Sequence, residues 1–153
     1  MFLLDANVLS EVMRPHPARL VLDWLDARIV EEVWVCLVSR AEIALGIELL
    51  PAGQKKRGLQ QAAMCMFEEE FSGRSLPFDD RAADQYAVIV KQRRSQGLPI
   101  NVEDAQIAAI APFHQLVLVT RNVSDFTGID GLVVNNPLGL GIGPQNKDLI
   151  ASM

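Results

Sequence analysis

Apolar residues along this chain fall into short unbroken runs, separated by longer stretches where they recur every three or four positions. Phe2-Leu3-Leu4 is the first run and ends at Asp5, which predicts a strand buried on both faces. Asn7–Val12 predicts a short helix, stopped by Pro15-His16-Pro17. Ala18–Ile29 repeats apolar residues at Leu20, Val21, Leu22, Leu25 and Ile29, the stripe of an amphipathic helix. Val33–Val38 is β-branched and aromatic and predicts a central strand. Ser39 opens the next expected helix, which runs to about Leu50 and is halted by Pro51. Gln54–Phe71 predicts a longer helix, and Arg74–Phe78 a weak, short strand. Asp80–Ser95 and Val102–Phe113 are two further helices, the first closed by Gly97. Leu116–Val119 is the clearest strand, and Leu132–Val134 a last short one.

Strands that alternate with helices, and that are themselves continuous apolar runs, predict an α/β domain. Its central sheet is mostly parallel and flanked by helices on both faces. A length of 153 residues suits one domain. Residues 1–137 are expected to form it, and 138–153, Gly-rich and then polar, to be a loosely ordered tail.

Composition narrows the function classes. No apolar run approaches the roughly 20 residues that span a bilayer, so no membrane partner is expected. The first residues carry no basic segment or cleavage site, and Cys36 and Cys65 lack metal-ligand spacing. Both thiols are expected reduced, and the compartment cytoplasmic. A formal net charge of −5 argues against broad, non-specific nucleic-acid binding. It leaves room for a nuclease, because carboxylates that hold a metal are neutralised by it.

The candidate chemistry lies in acids at one sheet edge. In a parallel sheet, ligands bind where the strands end. Asp5 follows the first strand, Glu42 lies in the first expected turn of the helix after the second, and Asn122 and Asp125 follow the Leu116–Val119 strand. Asp104 starts a helix that returns antiparallel to the sheet, so its N-terminus reaches the same edge. Each acid also has a local explanation. Asp5 can cap a helix, Ser39-Arg40-Ala41-Glu42 fits a capping box, and Asn101-Val102-Glu103-Asp104 is nearly the same device. Convergence of three acids, however, calls for a cation, and hard carboxylate oxygens suit Mg2+ or Mn2+ and phosphoryl transfer. The histidines, His16 and His114, fall in a loop and at a helix end, where neither is placed to act as a base.

These segments resemble the motifs of PIN-domain proteins. Leu3-Leu4-Asp5-Ala6-Asn7-Val8-Leu9-Ser10-Glu11 looks like their opening, and Ser39-Arg40-Ala41-Glu42-Ile43 with Gly46 like their second motif. Glu103-Asp104-Ala105-Gln106-Ile107-Ala108-Ala109 resembles the third, and Val119-Thr120-Arg121-Asn122 with Asp125-Phe126 the fourth. The order and spacing are most similar to VapC-type toxins of the FitB/StbB-like branch. The resemblance implies a single PIN domain with Mg2+- or Mn2+-dependent endoribonuclease activity on RNA, forming a homodimer and inhibited by a cognate antitoxin. It implies that Asp5, Glu42 and Asp104 are the metal-binding acids. Asn122 stands where the family often has a fourth acid, and Asp125 is expected to supply the missing charge. Asn7 and Thr120, and more weakly Ser10, are expected to orient the acids or the substrate phosphate.

Other readings stay open. A weakly active or inactive homologue that only binds antitoxin is the alternative, motivated by Asn122. A haloacid-dehalogenase-type phosphatase also opens with an Asp after its first strand, but Asn7 stands where its general acid belongs. A nucleotide-binding module would need a Gly-rich loop after a strand, and none is present. Trp24, Leu25, Leu49, Leu50, Met64 and Met66 are more apolar surface than one small core is expected to hide, which predicts an interface.

Overall fold

The structure is a computed structural model that describes residues 1–139. Five strands lie in the order β3-β2-β1-β4-β5, and every pairing between neighbours is parallel. They are β1 (Phe2–Leu4), β2 (Val33–Cys36), β3 (Ser75–Leu76), β4 (Val117–Val119) and β5 (Val134–Asn135). The central β1 aligns Phe2 with Val33 on one side and with Val117 on the other.

Leu3 and Leu4 show why these strands are apolar throughout. Neighbouring side chains on a strand point to opposite faces. Leu3 enters a core with Ile89 of α5 (Asp80–Ser95), Ile107 and Ile110 of α6 (Val102–Phe113), and Leu118. Leu4 enters a second core with Val8 and Leu9 of α1 (Ala6–Val12), Val21 of α2 (Arg19–Asp26) and Ile43 of α3 (Leu37–Glu48). Helices therefore cover both faces. No helix among the described residues is long and apolar enough to cross a membrane.

Several boundaries differ from the sequence reading. β2 ends at Cys36, and α3 begins at Leu37, two residues before Ser39. The expected capping box is absent. Ser39 is buried inside the first turn, and its hydroxyl lies 3.4 Å from Cys36 Sγ instead of capping the backbone. Glu42 moves to the second turn. The expected helix from Gln54 is α4 (Gln54–Met64) continued by a π-helical turn, Cys65–Glu70. That turn directs Met66 and Phe67 into the second core. Met66, expected to supply interface, is therefore core, whereas Leu49 and Met64 are exposed. β5 forms at Val134–Asn135, later than Leu132–Val134.

The end of α5 follows the expectation. Gly97 adopts φ 71°, its N–H bonds the Arg94 carbonyl at 3.1 Å, and the Leu98 N–H bonds the Arg93 carbonyl at 2.9 Å. This is a Schellman ending, which favours glycine. Both cysteines are free thiols. Leu138 still packs against the second core. The rest of the expected tail, 140–153, lies outside the described residues.

Candidate metal centre

Asp5 is placed by β1 and held by α1. It is the N-cap of that helix, and its Oδ1 accepts the Ala6 N–H at 2.7 Å. Its Oδ2 accepts from the Thr120 hydroxyl at 2.7 Å and from Asn7 Nδ2 at 2.9 Å. Asn7 Nδ2 also donates to Thr120 Oγ1 at 3.0 Å, which closes a triangle across β1 and β4. Asp5 is buried. Burial pushes its carboxyl pKa above the ordinary 3.8, the bonds from Thr120 and Ala6 pull it back, and the charge of Asp125 pushes it up again.

Asp104 stands in the first turn of α6. Asn101 is the N-cap: its Oδ1 accepts the Asp104 N–H, and its Nδ2 donates to Asp104 Oδ2, both at 2.7 Å. The cap thus fixes the acid as well as the helix end. Burial and then the Asp5 charge raise the Asp104 carboxyl to about 6. The Asn101 bond opposes this, and the charges of Asp125 and Glu103 add to it.

Glu42 is different. Its Oε1 is buried and has no hydrogen-bond partner among the described residues. Burial, then the charges of Asp5, Asp104 and Glu103, raise its carboxyl from the ordinary 4.5 to about 7. The acids are far apart in sequence, yet the charge of Asp5 raises both Glu42 and Asp104, and that of Asp104 raises Glu42, so they occupy one electrostatic site.

The remaining candidates surround it unequally. Asp125 is exposed in a 3-10 turn (Val123–Phe126), and its charge reaches Asp5 and Asp104. Asn122 precedes that turn, and its backbone N–H donates to Thr120 Oγ1 at 3.1 Å. Among the described residues its side chain makes no hydrogen bond. Among the described residues the Ser10 side chain makes no hydrogen bond to an acid. It is exposed and lines a groove of about 570 Å³ with Asn7, Glu42 and Lys55. His16 and His114 are exposed.

Sequence reasoning passed over Glu103, whose charge reaches Glu42 and Asp104. Its position beside Asp104 in the first turn of α6 was the available signal. It also passed over Glu11 and Arg121, which pair at 2.9 Å.

These residues suit a hard divalent cation. All the donors are carboxylate or amide oxygens. The bare Oε1 of Glu42 and the raised carboxyls of Glu42 and Asp104 are what a cation would relieve. Among the described residues no three His, Cys, Asp or Glu side chains are closed around one point. The cluster is open, which fits Mg2+ chemistry, where one or two carboxylates share the ion with water and substrate phosphate.

The PIN domain family model matches residues 2–131. Toxin FitB of Neisseria gonorrhoeae (strain ATCC 700825 / FA 1090) is 40% identical over 135 residues, covering 88% of this chain and 97% of that protein. VapC ribonuclease Y4jK of Sinorhizobium fredii (strain NBRC 101917 / NGR234) is 35% identical over 137 residues, covering 90% and 97%. The solved structure of FitAB bound to an IR36 DNA fragment superposes with a TM-score of 0.85 at 38% identity, covering 94% of this chain and 99% of that one. A parallel sheet with its acids gathered at one edge, and agreement with these proteins over nearly their whole length, lead to one conclusion: the chain belongs to the PIN-domain family.

Proposed function

We propose that the protein is a Mg2+- or Mn2+-dependent endoribonuclease and the toxin of a toxin–antitoxin pair. The observation that carries this is the buried Oε1 of Glu42, bare among the described residues, at an edge where burial and then the charges of Asp5 and Asp104 raise its pKa to about 7. The names of the relatives, a toxin and a ribonuclease, agree with the reading. Asp5, Glu42 and Asp104 would hold the cation, with the Asn122 oxygen or the Asp125 carboxylate beside them. When bound, the cation supplies Lewis-acid stabilisation of charge building on the phosphate and acidifies the attacking water. Thr120 and Asn7 fix the orientation of Asp5, and Asn101 fixes that of Asp104. Ser10, at the groove wall, would face the substrate strand.

The antitoxin would sit on apolar surface beside this edge. A second groove, of about 230 Å³, is lined by Ile43, Ile47, Ala63, Met64 and Phe67, with exposed Leu49 near the end of α3. Its chemistry suits the apolar face of a partner helix or strand. Homodimer formation would use further exposed apolar residues, and a cytoplasmic RNA substrate implies a cytoplasmic enzyme.

The test is RNA cleavage by purified, antitoxin-free protein. Cleavage is expected with Mg2+ or Mn2+, to stop with chelator and to return when metal is restored. Antitoxin binding without cleavage under any divalent metal would favour the second reading, an inactive binding homologue, which Asn122 in place of an acid motivates.

A further inference from the structure

Besides Asp5, Glu11 is the only buried acid among the described residues. It lies on α1, just beyond Asn7. Its Oε1 accepts the Ala18 N–H at 2.9 Å. Its Oε2 accepts from Arg121 Nη1 at 2.9 Å and lies 3.1 Å from Arg14 Nη1. One carboxylate thus faces two guanidinium groups, leaving a local surplus of positive charge. The anion is sealed and the cations reach solvent: side-chain exposure is 5% for Glu11, 36% for Arg121 and 63% for Arg14.

Both arginines are tied to the acid edge. Arg121 follows Thr120 directly, and its backbone N–H donates to Asn7 Oδ1 at 3.2 Å. Asn7 in turn holds Asp5. Arg14 lines the same groove as Asn7 and Glu42. Lys55 lines it too and has no ion pair among the described residues.

We propose that Arg14 and Arg121, aligned by Glu11, grip an RNA phosphate next to the bond being cleaved. The proposal rests on the ribonuclease reading above. A chain of net charge −5 with an acid cluster at its centre repels a polyanion, so the strand needs a local cationic hold. A guanidinium fork bonds phosphate bidentately, which a lone ammonium cannot do. A staple for the fold alone would be complete with one arginine on Glu11. The second adds charge that the protein leaves unneutralised and open to solvent.

The experiment uses the full chain carrying Asp104→Asn to prevent cleavage, and two fluorescent single-stranded RNAs of unrelated sequence. Affinity is measured against salt concentration, alone and with Arg14→Gln, Arg121→Gln or both. Each substitution is expected to weaken binding about tenfold at low salt. Each should also flatten the slope of log affinity against log salt by about 0.7. The loss should be the same for both sequences, because a phosphate contact carries no base information. Arg14→Lys should keep the slope while losing affinity. Melting curves check the fold, and exposed Arg14 remains a clean test if Arg121→Gln melts early. Unchanged affinity and slope would overturn the grip and leave the arginines as staples or contacts for a protein partner. If the parent chain binds no RNA at all, the ribonuclease reading fails and the grip with it.

Discussion

Asp5 and Glu42 sit in one electrostatic site, yet the fold treats their carboxylates in opposite ways. Asp5 has bonds to both oxygens, from Ala6, Thr120 and Asn7. The bonds from Thr120 and Ala6 favour its charged form and offset part of the burial penalty. Glu42 has a buried oxygen with no donor among the described residues and neighbours of like charge. Leaving such an atom unsatisfied costs about 1–3 kcal/mol. The contrast separates two jobs. One acid is pre-oriented by protein donors, and the other is left for something the protein does not itself supply. Near neutral pH that is either a proton or a cation.

The strongest way to break the contrast is to remove charge from the pinned acids. Asp5→Asn and Asp104→Asn should each lower RNA cleavage by about a thousandfold, the equivalent of several kcal/mol of metal-derived stabilisation. Far-UV spectra should stay native. Activity within tenfold of the parent would show that the acids do not act as a unit.

A smaller effect is expected from loosening Asp5 without touching its charge. Thr120→Val removes the hydroxyl that donates to Asp5 Oδ2 and accepts the Asn122 N–H. Cleavage should fall about 10–100-fold, as is usual when a group supporting a metal ligand is lost. An Asp5 that is rigid without Thr120 would leave the rate unchanged.

The pH dependence of stability sharpens the other half of the contrast. Folding raises Glu42 from 4.5 to about 7 and Asp104 from 3.8 to about 6. The folded state therefore binds these protons more tightly than the unfolded state. These two groups make the metal-free protein lose stability as pH rises from about 4 to about 7, with no further loss above that window. In melting experiments, Glu42→Gln should remove the upper part of this decline and melt higher than the parent at pH 8. A parent that outlasts Glu42→Gln there would mean that Glu42 has a donor after all.

The smallest effect concerns the exposed rim. Asp125 carries charge that Asp5 and Asp104 sense, whereas Asn122 contributes a backbone bond. Asp125→Asn should weaken Mn2+ binding a few-fold, more than Asn122→Ala does. The reverse order, or a sharp gain from Asn122→Asp with Asp125→Asn silent, would assign the fourth position to residue 122.

Much of this architecture could be read in the chain itself. The unbroken apolar runs located the strands because both faces of a parallel sheet are covered, as Leu3 and Leu4 illustrate. α5 ended where Gly97 predicts and α6 began where Asn101 predicts, since their caps are local chemistry. The start of α3 was not legible. Val33–Val38 is apolar throughout, and periodicity cannot separate a strand from the buried first turn of a helix. The same error gave Glu42 a capping role, whereas it lies in the second turn of α3 and feels the charges of Asp5, Asp104 and Glu103. The π-helical turn at Cys65–Glu70 escaped notice because its pattern differs from an α-helix by a single residue per turn. Of the acid edge, the expectation that Asp5, Glu42 and Asp104 share one side of the sheet rested on topology, and the structure adds that the charge of Asp5 reaches the other two. The hydrogen bonds that divide them into pinned and bare acids depend on atomic positions that no spacing encodes.

The most direct test of that division is calorimetric titration with Mn2+ near pH 6.5, repeated in buffers of different ionisation enthalpy to count released protons. If the bare Glu42 awaits a cation, the parent protein should bind Mn2+ with net proton release. Glu42→Gln should bind more weakly and release fewer protons, and Asp5→Asn should bind hardly at all. Equal affinity and equal proton release in the parent and in both variants would contradict the account.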